Sequence, residues 1–302
     1  MREQRHIEPL PLGGEDMPYS KGLMARALIA TGMSAVRAYE LARRLDVDLA
    51  DRGTASVDLE RMHELAVEFL GDEEGRQAMR RLRRYVELRQ LELPIILLIG
   101  GATGSGKSTI ATEIAYRLGI SRVTSTDFVR QTMRAFFSRE FMPSVHYSSF
   151  EAGRAVTGIA TEQVITGFLD QTRNVLVGVH ASVERALEEG WSMVLEGVHL
   201  VPGMLPAALQ NAVLVQCVLT IEDEEAHSKH FFVRDVASDG VRALDKYLEG
   251  LEDIRAIQEF IVGRAREAGV AVIENENIES AVAEVMELVF AEVERAQDGG
   301  AG

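Results

Sequence analysis

The chain has one cysteine in 302 residues, so no disulfide can form within it. Cys217 sits in the apolar run AVLVQCVLTI (212–221) and reads as a small buried structural residue. Long hydrophobic runs are also missing. The longest apolar stretches, such as Pro94 to Ile99, fall far short of the roughly 20 residues a membrane span needs. The polar N-terminus lacks the apolar core of a signal peptide, so a cytoplasmic protein with no membrane partner is expected. Positive charge is scarce: Lys and Arg number 32 against 47 Asp and Glu, a formal net charge of −15. An extended phosphate backbone needs an extended basic surface, so nucleic acid is not expected as a partner. Small anions remain open, because a few arginines converging on a pocket can bind phosphate inside an acidic protein. What is present is a globular composition, 46% hydrophobic and 26% charged, with enough length for one large domain or two smaller ones.

Residues 1–16, with Pro9, Pro11, Gly13 and Gly14, read as an irregular leader. From 17 to 91 the pattern is helical and suggests a small helical domain. SKGLMARALIATG places Leu23, Ala27 and Ile29 or Ala30 near one face, and Gly32 ends the run. The texture changes at Leu93. PIILLIG (94–100) is a short, continuously apolar run, as expected of a strand buried on both faces of a parallel sheet. Similar runs follow at 121–126, 192–197, 212–221 and 270–275. Helical stretches lie between them, including a long one from Ala152 to Glu189 expected to bend at Gly167 or Gly178. Strands alternating with helices predict an α/β domain over 92–302, a parallel sheet flanked by helices with right-handed crossovers.

Behind the first apolar run stands GGATGSGKST (100–109). From Gly101 to Ser108 it matches GxxxxGK[ST] at every fixed position, between a strand and the helix STIATEIAYRLG, which is the context this phosphate-binding loop requires. Gly101, Ala102, Thr103, Gly104, Ser105, Gly106, Lys107, Ser108 and Thr109 are expected to cradle the phosphates of ATP, the glycines letting backbone N–H groups turn inward. The helix N-terminus adds positive potential at the same spot. Lys107 should reach the β and γ phosphates, and the Ser108 hydroxyl should ligate Mg²⁺. The loop alone serves kinases, GTPases, motor ATPases and phosphate-sensing regulators equally.

Several side chains fall where an acceptor would sit. Asp127 follows the second strand, where a carboxylate can orient or deprotonate an attacking hydroxyl, or cap a helix beginning at Phe128. Arg130 and Arg134, four apart, share a helical face and suit a phosphate or carboxylate, or else a solvated basic surface. His146, Tyr147, Ser148 and Ser149 make 142–154 a polar loop fit for a small polar molecule, or a plain connection. Glu196 ends a buried strand at the acidic position of a Walker B segment, with Gly197 permitting close backbone approach. His199 reads as a structural loop histidine. Farther on, His227, His230 and Arg234 lie roughly on one helical face, followed by the link SDG, Arg242 and Lys246. This is the pattern of a basic lid, with Arg234 the leading candidate for a transition-state arginine and Arg242 and Arg255 weaker ones. The histidine pair lacks the further ligands of a tetrahedral metal site. Asn275 or Asn277 could contact a purine, or Asn277 could cap a helix.

Taken together, the phosphate loop, TSTDFVR, HYSSFEAG, VLEGVHLVPG and HFFVR resemble the 2-phosphoglycerate kinase family, within the nucleoside-monophosphate-kinase-like group, over roughly residues 93–290. The resemblance implies transfer of the ATP γ-phosphate to the 3-hydroxyl of 2-phosphoglycerate, giving 2,3-bisphosphoglycerate. The candidate catalytic residues read from position suit a small phosphorylated acceptor as partner: Lys107 and Mg²⁺ to neutralise the phosphates, Asp127 to handle the acceptor hydroxyl, and Arg234 to close from the lid. PYSKGLMARALIATGMSAVRAYELA resembles part of an ATP-cone module, a helical nucleotide-sensing domain. The alternatives are a kinase for another phosphorylated polyol or sugar acid, a toxin-like kinase acting on a sugar nucleotide, and a nucleotide-dependent switch. Oligomeric state is left open, a homo-oligomer included.

Overall fold

The computed structural model describes residues 19–54, 57, 59–91, 93–157, 160–237 and 244–299. The expected leader at 1–16, the SDG link at 238–240 and Arg242 lie outside the described residues. The chain divides into two compact units at Glu92 and Leu93, the first also taking in Tyr116–Gly119.

The first unit holds four helices, α1 (Lys21–Ala30), α2 (Ala35–Arg52), α3 (Leu59–Leu70) and α4 (Asp72–Gln90). Ser20 caps α1, its side chain accepting from the Leu23 backbone N–H. The buried face of α1 is Met24, Ala25, Ala27, Leu28 and Ala30, so Ala27 and Ala30 fall as expected, whereas Leu23 and Ile29 are only partly buried. The i, i+4 pair Met24 and Leu28 fills the interior better than their neighbours do. In α2 the buried residues Ala38, Leu41, Ala42, Leu45 and Leu49 trace one stripe, and Gly53 ends the helix in the left-handed conformation (φ +65°). Asp72, Glu73 and Glu74 open α4, where the helix dipole favours negative charge.

In the second unit all five apolar runs are strands: β1 (Ile95–Gly101), β2 (Val123–Ser125), β3 (Met193–Glu196), β4 (Val213–Thr220) and β5 (Ala271–Glu274). They form one parallel sheet in the order β2-β3-β1-β4-β5. Helix α5 (Lys107–Leu118) follows β1, α6 (Thr126–Phe136) follows β2, and α7 (Ala160–Glu188) precedes β3. Helices α8 (Glu224–Ala237), α9 (Leu244–Glu249) and α10 (Leu251–Ala268) lie between β4 and β5, and α11 (Ile278–Gly299) closes the chain. Every residue of β1 is buried. Ile96 and Leu98 of β1 and Met193 and Leu195 of β3, each pair two apart and so on one face of its strand, pack with Val175, Leu176, Val179 and Val183 of α7. A second cluster joins Phe168, Val218 and Phe231 to Ile254, Ile257 and Ile261 of α10.

The expected long helix starts later than Ala152. Ser149–Ala155 form 3-10 turns, α7 begins at Ala160, and it is continuous across Gly167 and Gly178. Among the described residues no helix is long and apolar enough to cross a membrane.

Candidate active site

The chain leaves β1 for β2 on one side and later crosses to β4 on the other, so β1 sits where the direction of winding reverses. In sheets of this type ligands bind beyond the carboxyl ends of the strands at that point. Register brings the parts together: Ile99 of β1 pairs with Glu196 of β3, and Glu196 pairs with Ser125 of β2. The loop after Gly101, the Glu196 carboxylate and the start of α6 therefore emerge side by side.

Within the loop, Lys107 is buried, and its Nζ donates to the Ala102 carbonyl at 2.5 Å and to Ser105 Oγ at 3.4 Å. The backbone N–H groups of Thr103, Gly104 and Gly106 have no partner among the described residues. They form a concave set of donors suited to phosphate oxygens. Ser108 Oγ donates to Glu196 Oε1 at 3.0 Å, and Glu196 is itself buried. A cleft of about 400 Å³ opens against this pair, lined by Ser108, Thr112, Val123, Thr124, Ser125, Phe128 and Glu196. Gly197, expected to allow close approach, does so: at φ +150° an added Cβ would fall 1.9 Å from Thr126 Oγ1.

Asp127 stands between two cleft residues, Ser125 and Phe128. It does not cap α6. Ser125 does, its Oγ accepting from the Phe128 N–H at 3.0 Å, and α6 starts at Thr126 rather than Phe128. Asp127 Oδ1 accepts from Arg130 Nε at 3.2 Å. Desolvation pushes the Asp127 carboxyl up, but the charge and hydrogen bond of Arg130, with His199 and Lys107, outweigh it, and the net shift is below the usual carboxylate range. Its side chain is 65% exposed, so solvent screens much of this, and the shift bears on protonation state more than on stability.

The two arginines of α6 part company. Arg130 is buried, and its Nη1 donates to the carbonyls of Val145 (3.0 Å) and Tyr147 (2.8 Å). It braces the polar loop, and only its Nη2 remains without a partner among the described residues. Arg134 is exposed and donates to Gln131 on its own helix. In the loop, the His146 ring bonds the Phe137 carbonyl at 3.0 Å, Tyr147 carries the Arg139 guanidinium over its ring, and Ser148 precedes the 3-10 turn that starts at Ser149. Ser149 Oγ lies 3.5 Å from Thr103 Oγ1 of the phosphate loop. Lys246 pairs with Glu151, and Arg255 donates to the Glu222 carbonyl at 2.9 Å. The side chain of Arg234 lies outside the described residues. Asn277 caps α11 through its Oδ1, which accepts from the N–H groups of Glu279 and Ser280.

A buried polar chain supports this side of the site. Gln171 Nε2 donates to the carbonyls of Ser144 (2.6 Å) and Tyr147 (3.1 Å), so its Oε1 accepts from His199 Nε2 at 2.9 Å. His199 Nδ1 then accepts from Thr126 Oγ1 at 2.8 Å. The sequence signal for this chain was a glutamine inside the apolar stripe of α7, between Phe168 and Val175. Burial pushes the His199 pKa from its usual 6.5 down to about 3, with Asp127 opposing. The folded protein therefore binds no proton at His199 where the unfolded chain does. This stability contribution is full above pH 6.5 and is lost as pH falls toward 3. The expected slope is about 1.4 kcal/mol per pH unit. Urea midpoints between pH 7 and pH 5 should show it, with His199→Gln less stable at pH 7 but losing less of its stability on acidification.

No protein-family profile matches this chain. Curated proteins do. The 2-phosphoglycerate kinase of Methanopyrus kandleri is 36% identical over 276 residues, 91% of this chain and 84% of that protein. That of Pyrococcus furiosus is 35% identical over 273 residues, 90% of this chain and 89% of that one. That of Methanothermobacter thermautotrophicus is 39% identical over 262 residues, 85% of each. Among solved structures, shikimate kinase from Acinetobacter baumannii in complex with shikimate overlaps with a TM-score of 0.38 at 14% identity, covering 66% of this chain and 94% of that one, too loosely to bear on function. Identity above a third across nearly the whole of both chains places this protein in the 2-phosphoglycerate kinase family.

Proposed function

We propose that the protein transfers the γ-phosphate of ATP to the 3-hydroxyl of 2-phosphoglycerate, forming 2,3-bisphosphoglycerate. The observation that carries this reading is the register of β2, β3 and β1, which brings the loop after Gly101, Glu196 and the start of α6 to one end of the sheet, beside a cleft lined by Ser108, Ser125 and Glu196. Gly101 to Thr109 bind the nucleotide phosphates. Lys107 exchanges its contacts with Ala102 and Ser105 for the β and γ phosphate oxygens, neutralising charge that spreads over them in the transition state. The acceptor hydroxyl oxygen bonds to the γ-phosphorus as the bond to the β–γ bridging oxygen breaks, and ADP leaves. The hydroxyl proton passes toward Asp127, whose Oδ2 is not engaged by Arg130.

Ser108 and Glu196 would hold Mg²⁺. A hydroxyl and a carboxylate 3.0 Å apart beside the cleft form an all-oxygen pair of the kind this cation takes together with phosphate oxygens and water. When bound, the ion supplies charge neutralisation between the β and γ phosphates. The acceptor's phosphate and carboxylate are assigned to Arg134, Arg130 Nη2 and the polar side of the loop at His146, Tyr147 and Ser148. Arg234 is assigned to the closing lid. The helical region 17–91 is read as an accessory, ATP-cone-like domain, and a cytoplasmic location suits both substrates.

The test is ADP release from ATP with Mg²⁺ across a panel of phosphorylated three-carbon acids and polyol phosphates. Release dependent on 2-phosphoglycerate is expected. Turnover with another panel member alone would replace the acceptor, and nucleotide binding without turnover on any acceptor would favour a switch.

A further inference from the structure

The carbonyls from Ala102 to Gly106 are all occupied, and three of them are held from outside the loop. Ala102 O accepts from the Ser105 N–H, Ser105 Oγ and Lys107 Nζ. Gly106 O accepts from the Ile110 N–H, the ordinary start of a helix. Between them, Thr103 O accepts from His227 Nε2 at 2.8 Å, Gly104 O from His230 Nδ1 at 3.0 Å, and Ser105 O from Asn275 Nδ2 at 3.0 Å. We propose that His227 of α8 and Asn275 after β5 are positioning residues that set the phosphate-binding Gly104 and Gly106 N–H groups by gripping the opposite ends of their peptide planes.

In a trans peptide the C=O and the following N–H point in opposite directions. A donor fixed on Thr103 O therefore fixes the Gly104 N–H facing the other way, and one on Ser105 O does the same for the Gly106 N–H. Those two N–H groups are among the unpartnered donors of the cradle. A glycine-rich loop is the segment least able to hold such planes by itself, since glycine restricts its own backbone least.

The close approach of the gripping residues is built into the loop. A Cβ at Gly104 would lie 2.6 Å from the Phe231 ring and 3.0 Å from His227 Nε2, and one at Gly106 would lie 2.2 Å from Asn275 Nδ2. These glycines admit α8 and Asn275 on the outer side of the loop as well as phosphate on the inner side. The His227 ring is held in turn. It is fully buried and stacks on Phe231 with centroids 5.5 Å apart, and Phe231 stacks on Tyr247 of α9 at 5.1 Å. His227 Nδ1 has no hydrogen-bond partner among the described residues, which leaves the ring neutral with its proton on Nε2, directed at Thr103 O. Burial pushes its pKa down in keeping with this.

The proposal rests on the reading of residues 101–109 as a nucleotide cradle and is independent of which acceptor is used. It is tested by calorimetric binding of a non-hydrolysable ATP analogue and of inorganic tripolyphosphate, which engages the cradle alone. His227 is the first target, and His230, whose peptide plane carries the Ser105 N–H already bonded to Ala102 O, is the control. His227→Leu is expected to weaken both ligands about tenfold, equivalent to about 1.4 kcal/mol, with the KM for the acceptor unmoved, while His230→Leu weakens them less. His227→Gln places an amide N–H where Nε2 donated and should restore most of the affinity, which a loss of packing alone would not. Unchanged binding in His227→Leu, or a loss that His227→Gln does not recover, overturns the proposal. Wild-type protein that binds neither probe overturns the nucleotide reading itself and the proposal with it, an outcome distinct from the first two.

Discussion

Lys107→Ala is expected to lower kcat with ATP by about 10³-fold while leaving the fold in place. The structure gives reasons for both halves. Lys107 is a buried cation within the loop, and its Nζ donates to a carbonyl and a hydroxyl of that loop, contacts that phosphate oxygens can replace. When it is removed, the Ala102 carbonyl keeps the Ser105 N–H and Oγ as donors, so no buried acceptor is stranded. Single-turnover ADP formation and the thermal midpoint report the two effects separately. Phosphotransfer retained at the wild-type rate would remove Lys107 from the chemistry, and a collapsed midpoint would make its role structural.

The second large effect is expected at Asp127. Asp127→Asn keeps an oxygen for Arg130 Nε and leaves the α6 cap untouched, because Ser125 provides that cap. What it removes is the negative charge and the site that accepts the hydroxyl proton. A fall in kcat of about 10²- to 10⁴-fold is expected, the usual range for loss of a positioned general base, with the KM for ATP nearly constant. Because Arg130, with His199 and Lys107, holds the carboxylate below its usual range against desolvation, the wild-type rate should show no acid limb from Asp127 near neutral pH. A variant with full kcat would restrict Asp127 to holding Arg130 and, through it, the carbonyls of Val145 and Tyr147.

Much of this architecture is legible along the chain because its causes are local. Four apolar runs mark four strands, and β2, three residues long with Val123 exposed, falls inside SRVTST (121–126), where Val123 is the one apolar residue. The phosphate loop is legible for the same reason, since spacing and flanking elements are both local. What failed to show is pairing at long range. Arg130 and Arg134 look equivalent at a spacing of four, yet burial against two loop carbonyls separates one from the other. His227 and His230 suggest a lid face in sequence, whereas folding sets them on carbonyls more than 120 positions earlier. In sequence Asn275 and Asn277 are alternatives for a purine contact, whereas folding sets Asn275 on Ser105 O, 170 positions away. No periodicity encodes such contacts. The nearest hint is the pair Gly104 and Gly106, where the absence of side chains makes room for partners that only the fold supplies.

The account is tested most directly by phosphorus NMR of the product formed from ATP, Mg²⁺ and 2-phosphoglycerate. It predicts a molecule with two phosphomonoesters on adjacent carbons, appearing in step with ADP and absent with Lys107→Ala. A product phosphorylated at the carboxylate, or ADP released with inorganic phosphate and no second phosphomonoester, would contradict transfer to the 3-hydroxyl.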